Sequence, residues 1–131
     1  MDYGFVKVAA ATPEIKVADC AYNTEAVLRL WQEAEAQNCQ LVAFPELVLT
    51  GYTCGDLFLQ PVLLDGCLHS IKTLIEASRQ FQSVAVIGAP LVHEGKLFNC
   101  AVVIQQGDVL GIVPKTSLPT YGEFYEQRHF Q

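Results

Sequence analysis

The chain begins with an apolar, β-rich run, FVKVAAAT from Phe5 to Thr12, whose side chains suit a strand covered on both faces. After a loop holding Pro13, apolar residues recur at Ala26, Val27, Leu30, Trp31 and Ala34, one face of a helix for which Asn23 is a plausible cap by residue type. QLVAF (40–44) returns as a short strand and runs into a glycine-rich turn. Leu68, Ile71, Leu74, Ile75 and Ser78 then repeat the helical spacing, with Pro61 and Gly66 expected to break the earlier part of that helix. SVAVIGAP, LFNCAVVIQ and VLGIVPK are three further strands, joined by an HEGK hairpin turn and a QGD turn.

The order is strand, helix, strand, helix and then three strands. Its first half alternates as parallel units do and its second half meanders, so the expected fold is α/β, a mixed sheet with helices on one face. No repeat or linker interrupts it. The tail TSLPTYGEFYEQRHFQ has no clear period and no terminating element.

Composition sharpens the picture in two ways. The 131 residues suit one domain, yet 51% are hydrophobic, only 17% are charged and mean hydropathy is +0.26, which predicts apolar surface in search of a cover and hence self-association as a homo-oligomer. Fourteen acidic residues against 8 basic give a net charge of -6, which repels phosphate backbones and anionic lipid. Nucleic acid and membrane are therefore not expected partners, and a small molecule or a protein is. Without a basic leader or an apolar run long enough to span a bilayer, the expected location is cytoplasmic. The five cysteines stand far apart, with no CxxC pair and no histidine cluster, so they read as buried thiols and no metal site is expected.

Two strands end alike: VAFPE places Glu46 after a proline and GIVPK places Lys115 after another. Strand ends in α/β sheets hold side chains rigidly while loops give access, so these two could set a carboxylate beside an ammonium. Such a pair can remove a proton from a nucleophile and stabilise a developing oxyanion. The alternative for each is a solvated or salt-bridged residue in a turn. His69, His93 and His129 are scattered over a helix, a hairpin and the tail.

FPEL.LTGY...DLF, GAP, N.A.V and PK..LP.Y.EFYE.R.F, in this order between Val8 and Phe130, resemble the nitrilase-type amidase superfamily. The last motif is most similar to the glutaminase domain of glutamine-dependent NAD+ synthetases. The resemblance implies an α-β-β-α sandwich, of which residues 1–131 are the N-terminal part, and a Glu-Lys-Cys triad that hydrolyses amides through a thioester. Glu46 matches the general base and Lys115 the lysine that holds the tetrahedral intermediate. Glu126 best matches a second glutamate that orients the triad, with Glu123 close enough to leave that match open. Tyr52 and Tyr121 match tyrosines lining the glutamine pocket, the alternative for each being an aromatic that fills the core. Asp56 matches an aspartate of the same turn and is expected to cap the following helix.

In that family the nucleophilic cysteine follows beyond the lysine, so the rest of the amidase domain and any synthetase domain would lie outside this chain. Cys54 shares a turn with Glu46 but would have to reach the same pocket from a glycine loop, and none of the five cysteines is a convincing substitute. The implied function is hydrolysis of the glutamine amide, supplying ammonia for ATP-dependent conversion of deamido-NAD+ to NAD+, with this segment inactive alone. No cofactor is implied for the amidase step, and ATP and Mg2+ serve the synthetase step. Two alternatives are another amide substrate and a non-catalytic assembly module.

Overall fold

The computed structural model describes residues 4–116 and Phe130. The seven expected segments form β1 (Val8–Ala10), α1 (Cys20–Ala36), β2 (Leu41–Ala43), α2 (Pro61–Ala77), β3 (Val84–His93), β4 (Lys96–Gln105) and β5 (Asp108–Pro114), with short 3-10 turns at Gly55–Leu59 and Ser78–Gln80. The strands lie in sequence order in one sheet, β1, β2 and β3 parallel and β3, β4 and β5 antiparallel. This is the mixed α/β sheet that the pattern predicts.

The core lies between the helices and one sheet face. Val27 and Trp31 of α1 and Cys67 and Leu74 of α2 are fully buried with Val42, Ala85, Ile87 and Ile104 of the strands. Trp31 closes the end of this layer: its ring sits 5.0 Å from that of Phe81, and its indole N–H donates to Ser83 Oγ at 2.9 Å. Ser83 in turn donates its hydroxyl to Glu35 at 2.6 Å, and the same carboxylate accepts the backbone N–H groups of Gln82 and Ser83. One helix end is thereby fastened to the start of β3.

Four local expectations are corrected. Helix α1 begins earlier than expected, because Asp19 accepts the Tyr22 N–H at 3.0 Å and is the cap. Asn23 is instead wholly buried within the helix. Pro61 does not break α2 but opens it at a position where its missing N–H loses no helical bond, and Gly66 lies inside an unbroken helix. Asp56 does not cap α2, whose N-cap is Gln60, but stands in the first turn of the preceding 3-10 segment.

The fourth correction concerns β1. The apolar run from Phe5 to Thr12 forms only a three-residue edge strand, and Phe5 is 77% exposed rather than covered. Its ladder is limited by β2, which offers only three partners. Register also places Val8, Leu41, Val84, Val86, Val103 and Val113 on the sheet face opposite the core. Among the described residues no helix packs there, and the face is left partly open.

Candidate active site

The site is assembled where β2 stops. Phe44 N–H still donates to Val86 O at 2.9 Å, but Pro45 has no N–H to continue the ladder, and the chain leaves the strand at Glu46. Leu47 adopts a left-handed φ of 53°, and its carbonyl accepts the N–H groups of Thr50 and Gly51 at 3.2 and 2.7 Å. Asn23 holds this turn from behind. Its carboxamide accepts the Lys16 N–H at 2.7 Å and donates to the carbonyls of Lys16 and Leu49 at 2.8 and 3.0 Å.

Lys115 comes from the far side of the sheet. It follows Pro114, the last residue of β5, and its backbone N–H donates to Asn99 O of β4 at 2.8 Å. Its Nζ lies 2.7 Å from Glu46 Oε1. The side chains are 30% and 41% exposed, so the pair is accessible but not fully in water. A pair this exposed adds at most about 1 kcal/mol to folding, and its consequence is chemical rather than structural.

Glu46 and Lys115 border a concavity of about 360 Å³, also lined by Phe44, Val86, Asn99 and Val113. An ionised carboxylate there can accept a proton, and an ammonium at hydrogen-bond distance puts positive charge beside the same atoms. The two sequence-predicted strand-end residues are thus brought together. Tyr52 follows in the same loop, half-buried against the core, and is not among the residues lining this concavity. Glu126, Glu123, Tyr121 and His129 lie outside the described residues.

All five cysteines are buried. Cys54 donates its thiol to the carbonyls of Thr50 and Gly51 at 3.1 and 3.5 Å, and burial pushes its pKa up. Burial likewise raises Cys100, and it takes Cys20 to about 11 with help from the neighbouring Cys54 and Asp19. The three are held as neutral thiols near pH 7, which makes them weak nucleophiles. Among the described residues, no group of three or more His, Cys, Asp and Glu side chains is placed to hold a metal ion.

Two residues that support the site carry no local signal of that role. Asn23 has the residue type of a cap, and its tie to the site loop has no signature in residue spacing. Gly88 lies in the middle of β3, and a glycine inside a strand pattern is a sign that another backbone passes close by.

The carbon-nitrogen hydrolase family pattern matches residues 7–131. The chain belongs to the carbon-nitrogen hydrolase family. It is 44% identical to the glutamine-dependent NAD(+) synthetase of Mycobacterium tuberculosis over 96% of its own length and 19% of that protein's. The solved glutamine-dependent NAD(+) synthetase of Cytophaga hutchinsonii superposes with a TM-score of 0.86 at 28% identity, over 96% of this chain and 21% of that one. An amidase of the nitrilase superfamily from Nesterenkonia shares the fold, with a TM-score of 0.80 at 23% identity over 96% of this chain and 47% of its own. This carbon-nitrogen hydrolase chain therefore spans about a fifth of the length of the synthetases it matches.

Proposed function

We propose that this chain is the N-terminal part of a glutaminase domain that supplies ammonia for the ATP-dependent conversion of deamido-NAD+ to NAD+. The observation that carries the reading is the 2.7 Å contact between Glu46 and Lys115, in a chain 44% identical to a glutamine-dependent NAD(+) synthetase.

In the complete domain, Glu46 takes the proton of a cysteine thiol contributed from outside this chain as the sulfur attacks the glutamine side-chain carbonyl. The Lys115 ammonium stabilises the negative oxygen of the tetrahedral intermediate. Collapse breaks the carbon-nitrogen bond, and the proton held by Glu46 goes to the leaving nitrogen, releasing ammonia. Glu46 then removes a proton from water, which attacks the thioester. Glutamate leaves and the thiol is restored.

Glu126 is assigned to orienting this pair, and Tyr52 and Tyr121 to the glutamine pocket. The amidase step needs no cofactor, while ATP and Mg2+ serve the synthetase step. A cytoplasmic location and a homo-oligomeric assembly are part of the same proposal. Among the described residues no helix is long and apolar enough to cross a membrane.

The test is Glu46→Gln in the complete protein, with glutamine-driven and ammonia-driven NAD+ synthesis measured side by side. Removing a general base lowers its step on the order of 100-fold or more. The expected result is a loss of that size with glutamine and an unchanged rate with ammonia. Equal losses with both nitrogen sources would make Glu46 a structural residue and sink the reading.

A further inference from the structure

Glu46 and Lys115 leave strands that are not neighbours. Between β2 and β5 lie β3 and β4, so three inter-strand steps, about 14 Å at the usual spacing, separate the two strand axes. Their charged atoms nevertheless meet at 2.7 Å. The segment that follows β2 must therefore cross over β3 before Glu46 extends toward β5.

The crossing is recorded at Gly88. A Cβ built on this residue would stand 2.4 Å from Leu47 N, 2.6 Å from Pro45 O and 2.9 Å from Glu46 C. All three are backbone atoms of the segment that carries the carboxylate, and none can swing aside as a side-chain tip would. Leu49 N–H also leans on the Gly88 carbonyl, at 3.4 Å. Gly88 is not among the glycines of positive φ, so its own backbone conformation is one that alanine adopts freely. Glycine is required here by space alone.

We propose that Gly88 is a positioning residue for amide hydrolysis: its missing side chain lets the Pro45–Leu47 backbone lie on β3, and this seat aims Glu46 at Lys115. The inference rests on the proposed role of Glu46. Register places Gly88 opposite Ala101 and Ala101 opposite Val113, so the seat faces the same side of the sheet as the concavity. Gly111 on β5 is the matched contrast, because an added Cβ there meets nothing within 4 Å.

The experiment compares Gly88→Ala, Gly111→Ala and Glu46→Gln in the complete protein, following glutamate release and ammonia-driven synthesis. A misplacement of about 1 Å at a catalytic group costs on the order of 100-fold in rate. Gly88→Ala is expected to lower kcat for glutamine by about that factor, with KM changed less than about threefold and the ammonia reaction unchanged. Gly111→Ala is expected to match the parent protein. A folded Gly88→Ala with parental kcat overturns the inference, as does an equal fall in the ammonia reaction.

Should Gly88→Ala fail to fold, Pro45→Gly carries the test, because it loosens the same segment without adding an atom beneath it. A fall in kcat of about tenfold or more at steady KM supports the seat, and an unchanged kcat overturns it. If Glu46→Gln keeps full glutaminase activity, the proposed function fails. If Glu46→Gln is inactive while Gly88→Ala is not, the inference about the seat fails alone.

Discussion

At the scale of single residues, the site depends on a group that does not line its concavity. Asn23 is wholly buried, and its three hydrogen bonds all go to backbone, joining the loop before α1 to the turn after Glu46. Truncation to alanine would leave the Lys16 N–H and two carbonyls without those partners, at about 1–3 kcal/mol for a stranded buried group. Asn23→Ala is therefore expected to lower unfolding free energy by about 3 kcal/mol in urea titration, and a loss under about 1 kcal/mol would show that water replaces the carboxamide without penalty. Glu46 and Lys115 were legible because a charged residue after a proline at a strand end is locally odd. Asn23 was not, because the features that make asparagine a good cap also make it a good clamp in the core. Gly88 was visible only as an unexplained member of a motif, since its reason lies in a backbone segment some forty positions away in the sequence.

Elements show the same division between local and distant causes. Helices α1 and α2 announce themselves by period and strands β3 to β5 by β-rich apolar runs between turn residues, whereas the break expected at Pro61 and Gly66 fails because proline is tolerated at a helix start and one glycine inside a 17-residue helix costs only about 1 kcal/mol. The end of α1 is fixed by distant partners too. Burial by itself would raise the pKa of Glu35, but the hydrogen bonds from Ser83 and Gln82 outweigh it and the net shift is downward from 4.5. A carboxylate whose folded pKa lies below its unfolded one contributes stability above the unfolded value. That contribution fades as pH falls through the window between the two and is gone below the folded value. Acid unfolding followed by tryptophan fluorescence is thus expected to weaken the protein as pH drops below 4.5, and Glu35→Gln should show a shallower dependence over the same range. Identical slopes in the two proteins would remove Glu35 from the account. Ser83→Ala is expected to act in the same direction, because it removes the shortest of these hydrogen bonds.

For the whole molecule, the decisive feature is a sheet with two unequal faces. One is packed with Ala85, Ile87, Val102 and Ile104 against the helices, and the other presents Val84, Val86, Val103 and Val113 without a helix among the described residues. Composition made this legible as an excess of apolar residues, but only register could say which residues form the excess, because alternation in β3 and β4 reads as apolar on both sides. An open apolar face draws a second surface onto it, and β5 adds an edge on which Leu110 and Val113 are 58% and 60% exposed. The 131-residue polypeptide on its own is accordingly expected to sediment as associated species rather than as a 14.4 kDa monomer. Val103→Lys places a charge on the open face and should shift the boundary toward monomer while leaving the far-ultraviolet spectrum unchanged. Ala85→Lys, the same change on the packed face, should unfold the chain, since an ammonium in that layer has no partner and no water. If Val103→Lys sediments as the parent does, the open face is not what holds the copies together, and the β5 edge becomes the surface to block next.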